Sequence, residues 1–505
     1  MMILIKKSIL IGVGNPARYL LQTSSDNLNQ SKPYKKMTFG ERDKNKPHKT
    51  ILMVGETGTG RTTLINAIVN YMLDVQREDK VWFEITDDQS DRTSVHSQTS
   101  IITVYGFYPQ ESKTDLTIID TPGYGDTVER DKEIAESFFS LSKSAEGIHE
   151  IHAVCLVINA TQNRLSDRQI YIFDAVQSLF GRDIAENMVL LFTHSDGARP
   201  RNVLAAVKEA KVKCAVNEQN QPVFFLFNNC QSEAADEEDD DDEEYEEYHE
   251  QRQDQSWNCS FRGMAGLFRF LDTIQPKTLK MTRDVLQNRK QLEANISNLK
   301  SRVQMMELKQ NELKQTQEAL EKNLEKNNKS ENEVEVKYKE KVDIDRSKWP
   351  WKAMCCSVCE ENCVYPDNWW VTHLSLSSVM KDDHCTVCTN KCHYSRHVKE
   401  AKIYVTKTKK EKRTYEGHMT YDGVFVVQKL EEELQELERE KIKLVIEAFY
   451  CVNTLEMIAL NTDSLFTLLD IDFLIEKLKE INEPEKAKHL EILKYWRTGI
   501  HKKYF

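Results

Sequence analysis

The stretch KTILMVGETGTGRTTLIN, from Lys49 to Asn66, decides how the rest of the chain is read. An apolar run at 51–54 meets a glycine-studded turn, and Leu64, Ile65, Ala67, Ile68 and Val69 then recur with helical spacing. Strand, loop and helix in that order are the setting of a phosphate-binding loop. Gly55, Gly58 and Gly60 let the backbone come close to a phosphate with its amide hydrogens turned inward, and Glu56, Thr57 and Thr59 complete the loop. The first helical turn, with Thr62 and Thr63, adds unpaired amides and the positive end of the helix dipole. Thr62 stands where a hydroxyl would serve Mg2+. One position departs from the pattern G-x-x-x-x-G-K-[ST]: Arg61 replaces lysine, a planar fork in place of a compact ammonium. Taken alone, the loop also fits a glycine-rich turn of some other α/β protein.

The motifs downstream support the phosphate-loop reading. Strand-like runs at 51–54, 101–107, 116–119, 153–159, 188–192 and 223–227 alternate with helical patterns at 61–73, 130–143, 166–180, 201–212 and 263–274. This is the signature of an α/β domain with a mostly parallel sheet flanked by helices, where ligands bind at the carboxyl ends of the strands. Asp120-Thr-Pro-Gly123 comes directly after one such strand: Asp120 is placed to hold Mg2+ through water, and the Gly123 amide to report a γ-phosphate. Tyr124 comes next, where many small GTPases have a water-orienting glutamine, so slow hydrolysis is expected. Thr99, within Ser97-Gln-Thr-Ser100, is the candidate second magnesium hydroxyl, with Thr93 and Ser94 as alternatives. After the run at 188–192, Thr193-His194-Ser195-Asp196 offers a carboxylate for the two donors of a guanine edge and a ring to lie against the base. Asn228 and Asn229 end the next strand and can add amide contacts. Each motif has a plainer reading as an ordinary turn, but their order favours the nucleotide site.

GETGTGRTTLIN, SQTS, DTPGYGDT, FTHSD and FNN, in this order, resemble the septin-like branch of P-loop GTPases, and most of all its immunity-associated nucleotide-binding type. The resemblance covers roughly residues 49–275. It implies GTP/GDP binding with Mg2+, slow hydrolysis and homodimerisation across the nucleotide face; Arg61, which departs from the family's lysine, and Thr99 are the candidate catalytic residues.

The net charge of −12 has a local origin. Residues 236–250 hold twelve Asp or Glu and no Lys or Arg, so no broad basic field speaks for nucleic acid. The acidic stretch 233–255 reads as a solvated loop. No apolar run is long enough to span a bilayer, and the segment before residue 15 is broken by Lys6 and Lys7. A cytoplasmic setting is therefore expected. Residues 1–48 read as a linker or tail, with an abrupt start that a longer product cut short would also show.

Beyond the GTPase-like region at 49–275, a coiled coil is expected over 276–345, a cysteine-rich module with a hairpin over 350–428, and closing helices over 429–505. Scarce glycine and proline (17 and 11) suit long helices. Val285, Leu292, Leu299, Met306, Leu313 and Leu320 form one heptad column, and Ile296 and Val303 begin the other. The helix either pairs with a second copy or folds back on 429–480. Of twelve cysteines, seven lie between Cys355 and Cys392. Cys356-x2-Cys359-x3-Cys363 and Cys385-x2-Cys388-x3-Cys392 are doubled knuckles. Two CxxC pairs suit one tetrahedral Zn2+ of structural role, leaving Cys363, Cys392 and one or two histidines, His393 first, for a second. Disulfides are the alternative. The segment also resembles a cysteine-rich insert of some animal and fungal members of the same group.

Two functions emerge: a guanine-nucleotide switch or assembly module that is a slow GTPase, with an unidentified protein effector, or a scaffold with a degenerate GTPase domain. An ATPase is the third possibility.

Overall fold

A computed structural model describes residues 2–25, 34–86, 101–125, 128–144, 147–161, 167–230, 243–326, 330–344, 352–365, 374–377, 379–415, 421–461 and 465–501. The chain forms two compact units, Met1–Val285 with Ile458–Asn461, and Leu286–Met457 with Thr462–Phe505.

The first unit is built on an eight-stranded sheet. Its centre is His48–Gly55, whose Ile51, Leu52, Met53 and Val54 are at most 1% exposed. A strand apolar on both faces belongs between two layers of helices, which is why its pattern is continuous rather than alternating. On one side lie Ala153–Asn159, Met188–Thr193 and Phe224–Leu226, all parallel to it. On the other lies Asp115–Asp120, also parallel, then Ile102–Tyr108, which runs antiparallel because a short connection returns the chain directly. The sheet is therefore mixed, with helices Arg61–Met72, Val128–Lys143, Asp167–Gln177, Arg201–Glu209 and Glu243–Thr273. The register sets Gly55 beside Val157 and Met53 beside Asp120, while Asn159 pairs with Thr193. Four strand ends thus share one edge.

Residues 1–48 depart from the linker expectation. Tyr34–Gly40 extends the main sheet parallel to Ile102–Tyr108, and Ala17–Leu21 pairs with Val81–Glu84. Met37 and Phe39 are buried in the core, so the short runs between lysines are strand faces. The helix expected at 263–274 starts at Glu243, inside the acidic stretch. Glutamate is a good helix former and its charge favours the first turn; residues 233–242 lie outside the described ones. No helix among the described residues is long and apolar enough to cross a membrane.

The second unit contains the 47-residue helix Lys280–Lys326 from Leu286 onward. Its column residues Leu292, Ile296 and Leu299 are buried. Leu292 and Ile296 line one small cavity with Val452, Ile471 and Leu474, from helices Tyr421–Ile458 and Leu465–Glu480. At Leu292 and Ile296 the apolar column is covered from within the chain. The hairpin expected over 401–428 is different: Lys402–Tyr415 pairs antiparallel with Ser330–Asp343, and Val424 to Val427 are helical. The cysteine segment hangs between the strands of this ribbon, with its own small sheet of Glu361–Val364, Ala353–Cys356 and His397–Glu400.

Candidate functional site

Four loops meet at the shared strand edge. In the first, Gly58 and Gly60 have φ of +80° and +76°, a region where a side chain would be strained, and a Cβ on Gly58 would meet open space. Helix Arg61–Met72 begins directly behind Gly60. The loop is drawn into a turn, with the Thr59 amide 3.4 Å and the Thr59 hydroxyl 2.9 Å from the Glu56 carbonyl. The residues fit a phosphate group through the open face at Gly58; the Thr59 amide would exchange a long, weak hydrogen bond for it.

Arg61 turns toward the second loop. Its side chain is 8% exposed, and Nη1 donates to the Thr121 hydroxyl (3.2 Å), the Pro122 carbonyl (3.3 Å) and the Thr121 carbonyl. The same nitrogen lies 3.6 Å from Asp120 Oδ1. The carboxylate meant for magnesium therefore faces a guanidinium. Thr62 and Asp120 supply the donor types the ion takes, and the Arg61 charge opposes its entry. No sequence signal marks Thr121 as the anchor of Arg61. Thr57 sits against Gly123, so tightly that a Cβ there would lie 2.0 Å from the Thr57 hydroxyl. The Tyr124 amide bonds to the Gly55 carbonyl (3.1 Å), which ties the two loops together. Tyr124 is 1% exposed and its hydroxyl has no hydrogen bond among the described residues; burial first, then Asp131, raises its pKa well above the usual phenol value. A phenol so enclosed has no reach toward a nucleophilic water. Thr99, like Thr93 and Ser94, lies outside the described residues.

The residues expected to read the base lie beside the glycine loop. Thr193 Oγ1 donates to the Thr59 carbonyl at 2.7 Å. His194 takes a left-handed φ of +52°, which brings its ring to within 3.3 Å of a Cβ built on Gly60. Asp196 is exposed, and its Oδ1 accepts the Ala198 amide (2.8 Å). The Ser195 amide bonds to the Phe227 carbonyl (3.0 Å), so the FNN strand end lies alongside. Ser260 holds both asparagines: its hydroxyl is 2.5 Å from the Asn228 carbonyl and 3.1 Å from Asn229 Oδ1. Asn229 Nδ2 is buried with no partner among the described residues. An orphaned donor at this place fits an acceptor on a bound base.

The second constellation is the cysteine module. Its cysteines form no disulfide among the described residues, and two groups have donor atoms within 4.8 Å of one another: Cys356, Cys359, Cys388 and Cys392, and Cys363, Cys385, Cys388 and His397. The knuckles are thus interleaved rather than joined as two CxxC pairs. Amides point at the sulfurs, Cys359 N to Cys356 Sγ (3.4 Å), Cys388 N to Cys385 Sγ (3.4 Å) and Cys392 N to Cys388 Sγ (3.2 Å). Hydrogen bonds from the Cys363 and Cys388 thiols hold the Cys385 pKa down to about 3. His393, expected as a ligand, lies outside both groups: its Nδ1 caps the turn Tyr394–Arg396 through the Ser395 amide (3.3 Å). His397 stands in the second group. Its Nδ1 is 3.2 Å from the His393 carbonyl, and its buried Nε2 has no hydrogen bond among the described residues. Cys355 points away, to Asn362 Oδ1 (3.2 Å), as alternation along Ala353–Cys356 requires.

A mixed sheet with flanking helices and a glycine loop before the first of them defines a P-loop, GTPase-like α/β domain. Residues 49–244 match the AIG1 family. The chain is 27% identical over 150 residues to immune-associated nucleotide-binding protein 9 of Arabidopsis thaliana, covering 30% of this chain and 38% of the relative. It is 25% identical over 158 residues to protein 4 of the same series and organism, covering 31% and 42%. The match spans about two fifths of the length of these relatives. Among solved structures, Toc33 from Arabidopsis thaliana in complex with GDP and Mg2+ aligns at 14% identity with a TM-score of 0.30, covering 45% of this chain and 86% of that one.

Proposed function

We propose that the first unit binds guanine nucleotide and acts as a nucleotide-dependent switch with slow GTP hydrolysis. The observation that carries this reading is the Thr193–Thr59 hydrogen bond, which joins a base-reading loop directly to a phosphate loop. The name shared by the relatives, nucleotide-binding, supports it as well. Gly55 to Gly60 and the amides of Thr62 and Thr63 would hold the phosphates, with the Gly123 amide beside the terminal one. Asp196 and Asn229 would read the base edge and His194 its face. Thr62, Thr99 and Asp120 would hold Mg2+, which neutralises phosphate charge when bound. Arg61 must then leave Asp120 for the phosphate. No side-chain amide stands at 124 to orient water, which is the reason for slow turnover. A second copy meeting the nucleotide face would form the homodimer, and a structural Zn2+ would staple the cysteine module.

The Arg61–Asp120 pair at 3.6 Å favours one other reading, a scaffold whose GTPase domain has lost its magnesium site. Calorimetric titration of GTP, GDP and ATP with and without Mg2+ separates them. Binding of GTP and GDP but not ATP supports the switch, and no heat with any of the three refutes it.

A further inference from the structure

We infer that the cysteine module holds a two-metal centre in which one thiolate, that of Cys388, bridges two zinc ions. Cys356, Cys359 and Cys392 complete the first coordination sphere; Cys363, Cys385 and His397 complete the second. The inference rests on the structural-zinc part of the proposed function and specifies its stoichiometry and ligands.

Donor number leads to the bridge. Structural zinc takes four ligands. The two groups together contain seven residues, because Cys388 stands in both. With the seven donors found among the described residues, two four-coordinate ions must share one. Assigning Cys388 to a single ion would leave the other with three ligands and an open position, which is the arrangement of a catalytic rather than a structural site. Among the described residues, Met354, Val364, Val379, Met380 and Val387 pack around the sulfurs, an apolar lining.

Distances agree. With Zn–S near 2.3 Å, the edge of a sulfur tetrahedron is about 3.8 Å. Cys359 Sγ and Cys392 Sγ lie 3.8 Å apart, across one edge of the first group. In the second group, His397 is 4% exposed with its Nδ1 committed to the His393 carbonyl. That bond fixes the hydrogen on Nδ1 and presents the Nε2 lone pair, the usual arrangement of a metal-bound imidazole. The repeat in the sequence gives the interleaving its cause. CSVCEENC and CTVCTNKC have the same cysteine spacing, and in each the first and third cysteines fall in different groups. Set against each other, each repeat's third cysteine falls into the other repeat's group: Cys392 joins Cys356 and Cys359, and Cys363 joins Cys385 and Cys388.

The test uses the full-length chain. Plasma mass spectrometry of the purified protein should find two zinc ions per chain. After exchange with cadmium-113, the NMR spectrum should show two resonances split by mutual coupling through the shared sulfur. His397→Gln should shift mainly the second resonance and Cys392→Ser mainly the first, while Cys388→Ser should disturb both. X-ray absorption at the zinc edge should give a metal–metal distance of about 3.8 Å, from tetrahedral sulfur at that bond length. One ion per chain would overturn the shared centre and leave structural zinc standing. Two uncoupled resonances would overturn the bridge. No metal, with thiols that pair as disulfides, would remove the zinc reading itself and this inference with it. Should Cys388→Ser fail to fold, the coupling in the unaltered protein decides alone.

Discussion

Replacing Arg302 by methionine should cost the second unit about 3–5 kcal/mol, the usual penalty for removing one partner of a buried ion pair. Arg302 lies on the long helix with a side chain 8% exposed, and its Nη2 pairs with Glu361, which is 5% exposed. Its Nε lies 2.5 Å from Glu440 Oε2, and its Nη2 donates to Thr389 Oγ1 at 3.0 Å. One guanidinium thus joins the long helix, helix Tyr421–Ile458 and strand Glu361–Val364. In Arg302→Met, Glu361 keeps the Thr389 amide (2.8 Å) and hydroxyl (2.6 Å) but has no cation among these contacts, and it faces Glu440. Burial, ahead of every charge around it, already holds the Glu440 pKa above the usual carboxylate value, and Arg302 pulls the other way. Removing Arg302 raises it further. A carboxyl whose folded pKa exceeds its unfolded one stabilises the fold at low pH and loses that contribution as pH rises. The deficit should therefore be larger at pH 8 than at pH 5. Hydrogen exchange of amides 298–306 and 358–364, with metal content held constant, reads it locally. Arg302→Lys, which keeps charge but not the fork, should fall between. A loss below about 1 kcal/mol, equal at both pH values, would refute the clamp.

Three further outcomes are expected. Thr193→Val removes the hydroxyl bonded to Thr59 and should weaken guanine-nucleotide binding about fivefold, from roughly 1 kcal/mol per hydrogen bond, with the calorimetric Kd as the check. Arg61→Lys should raise nucleotide affinity, because the guanidinium is held by Thr121, Pro122 and Asp120; an unchanged Kd would show that these contacts are no obstacle. The first unit should lose stability as pH falls from 6.5 toward 4. Burial lowers the pKa of both His48 and His152 to about 4, so the unfolded chain takes up protons first. His152 Nδ1 accepts the Thr50 amide, a bond that protonation breaks; a melting temperature flat over this range, or a slope unchanged in His152→Asn, would count against it.

Local pattern alone carried much of the fold. Continuous apolar runs placed six strands of the main sheet to within three residues at either end, because burial on both faces leaves no room for polar alternation. The glycine loop, the Asp120 turn and the THSD and FNN ends all came to one edge, since parallel strands align their carboxyl ends. The doubled cysteine knuckles were equally plain as chemistry. Other features depended on partners far away in the chain. Residues 34–40 become a strand because Ile102–Tyr108 offers an unpaired edge, and Lys402–Tyr415 finds its partner across the whole cysteine segment. Whether the apolar column at Leu292 and Ile296 meets a second copy or Val452 and Leu474 is likewise decided by which surface the same chain can bring near. Arg61 is long enough to reach either a phosphate or Asp120, and His393 and His397 are spaced equally well for a metal. Spacing along the chain limits what a side chain can reach; only packing in three dimensions selects one neighbour from those within reach.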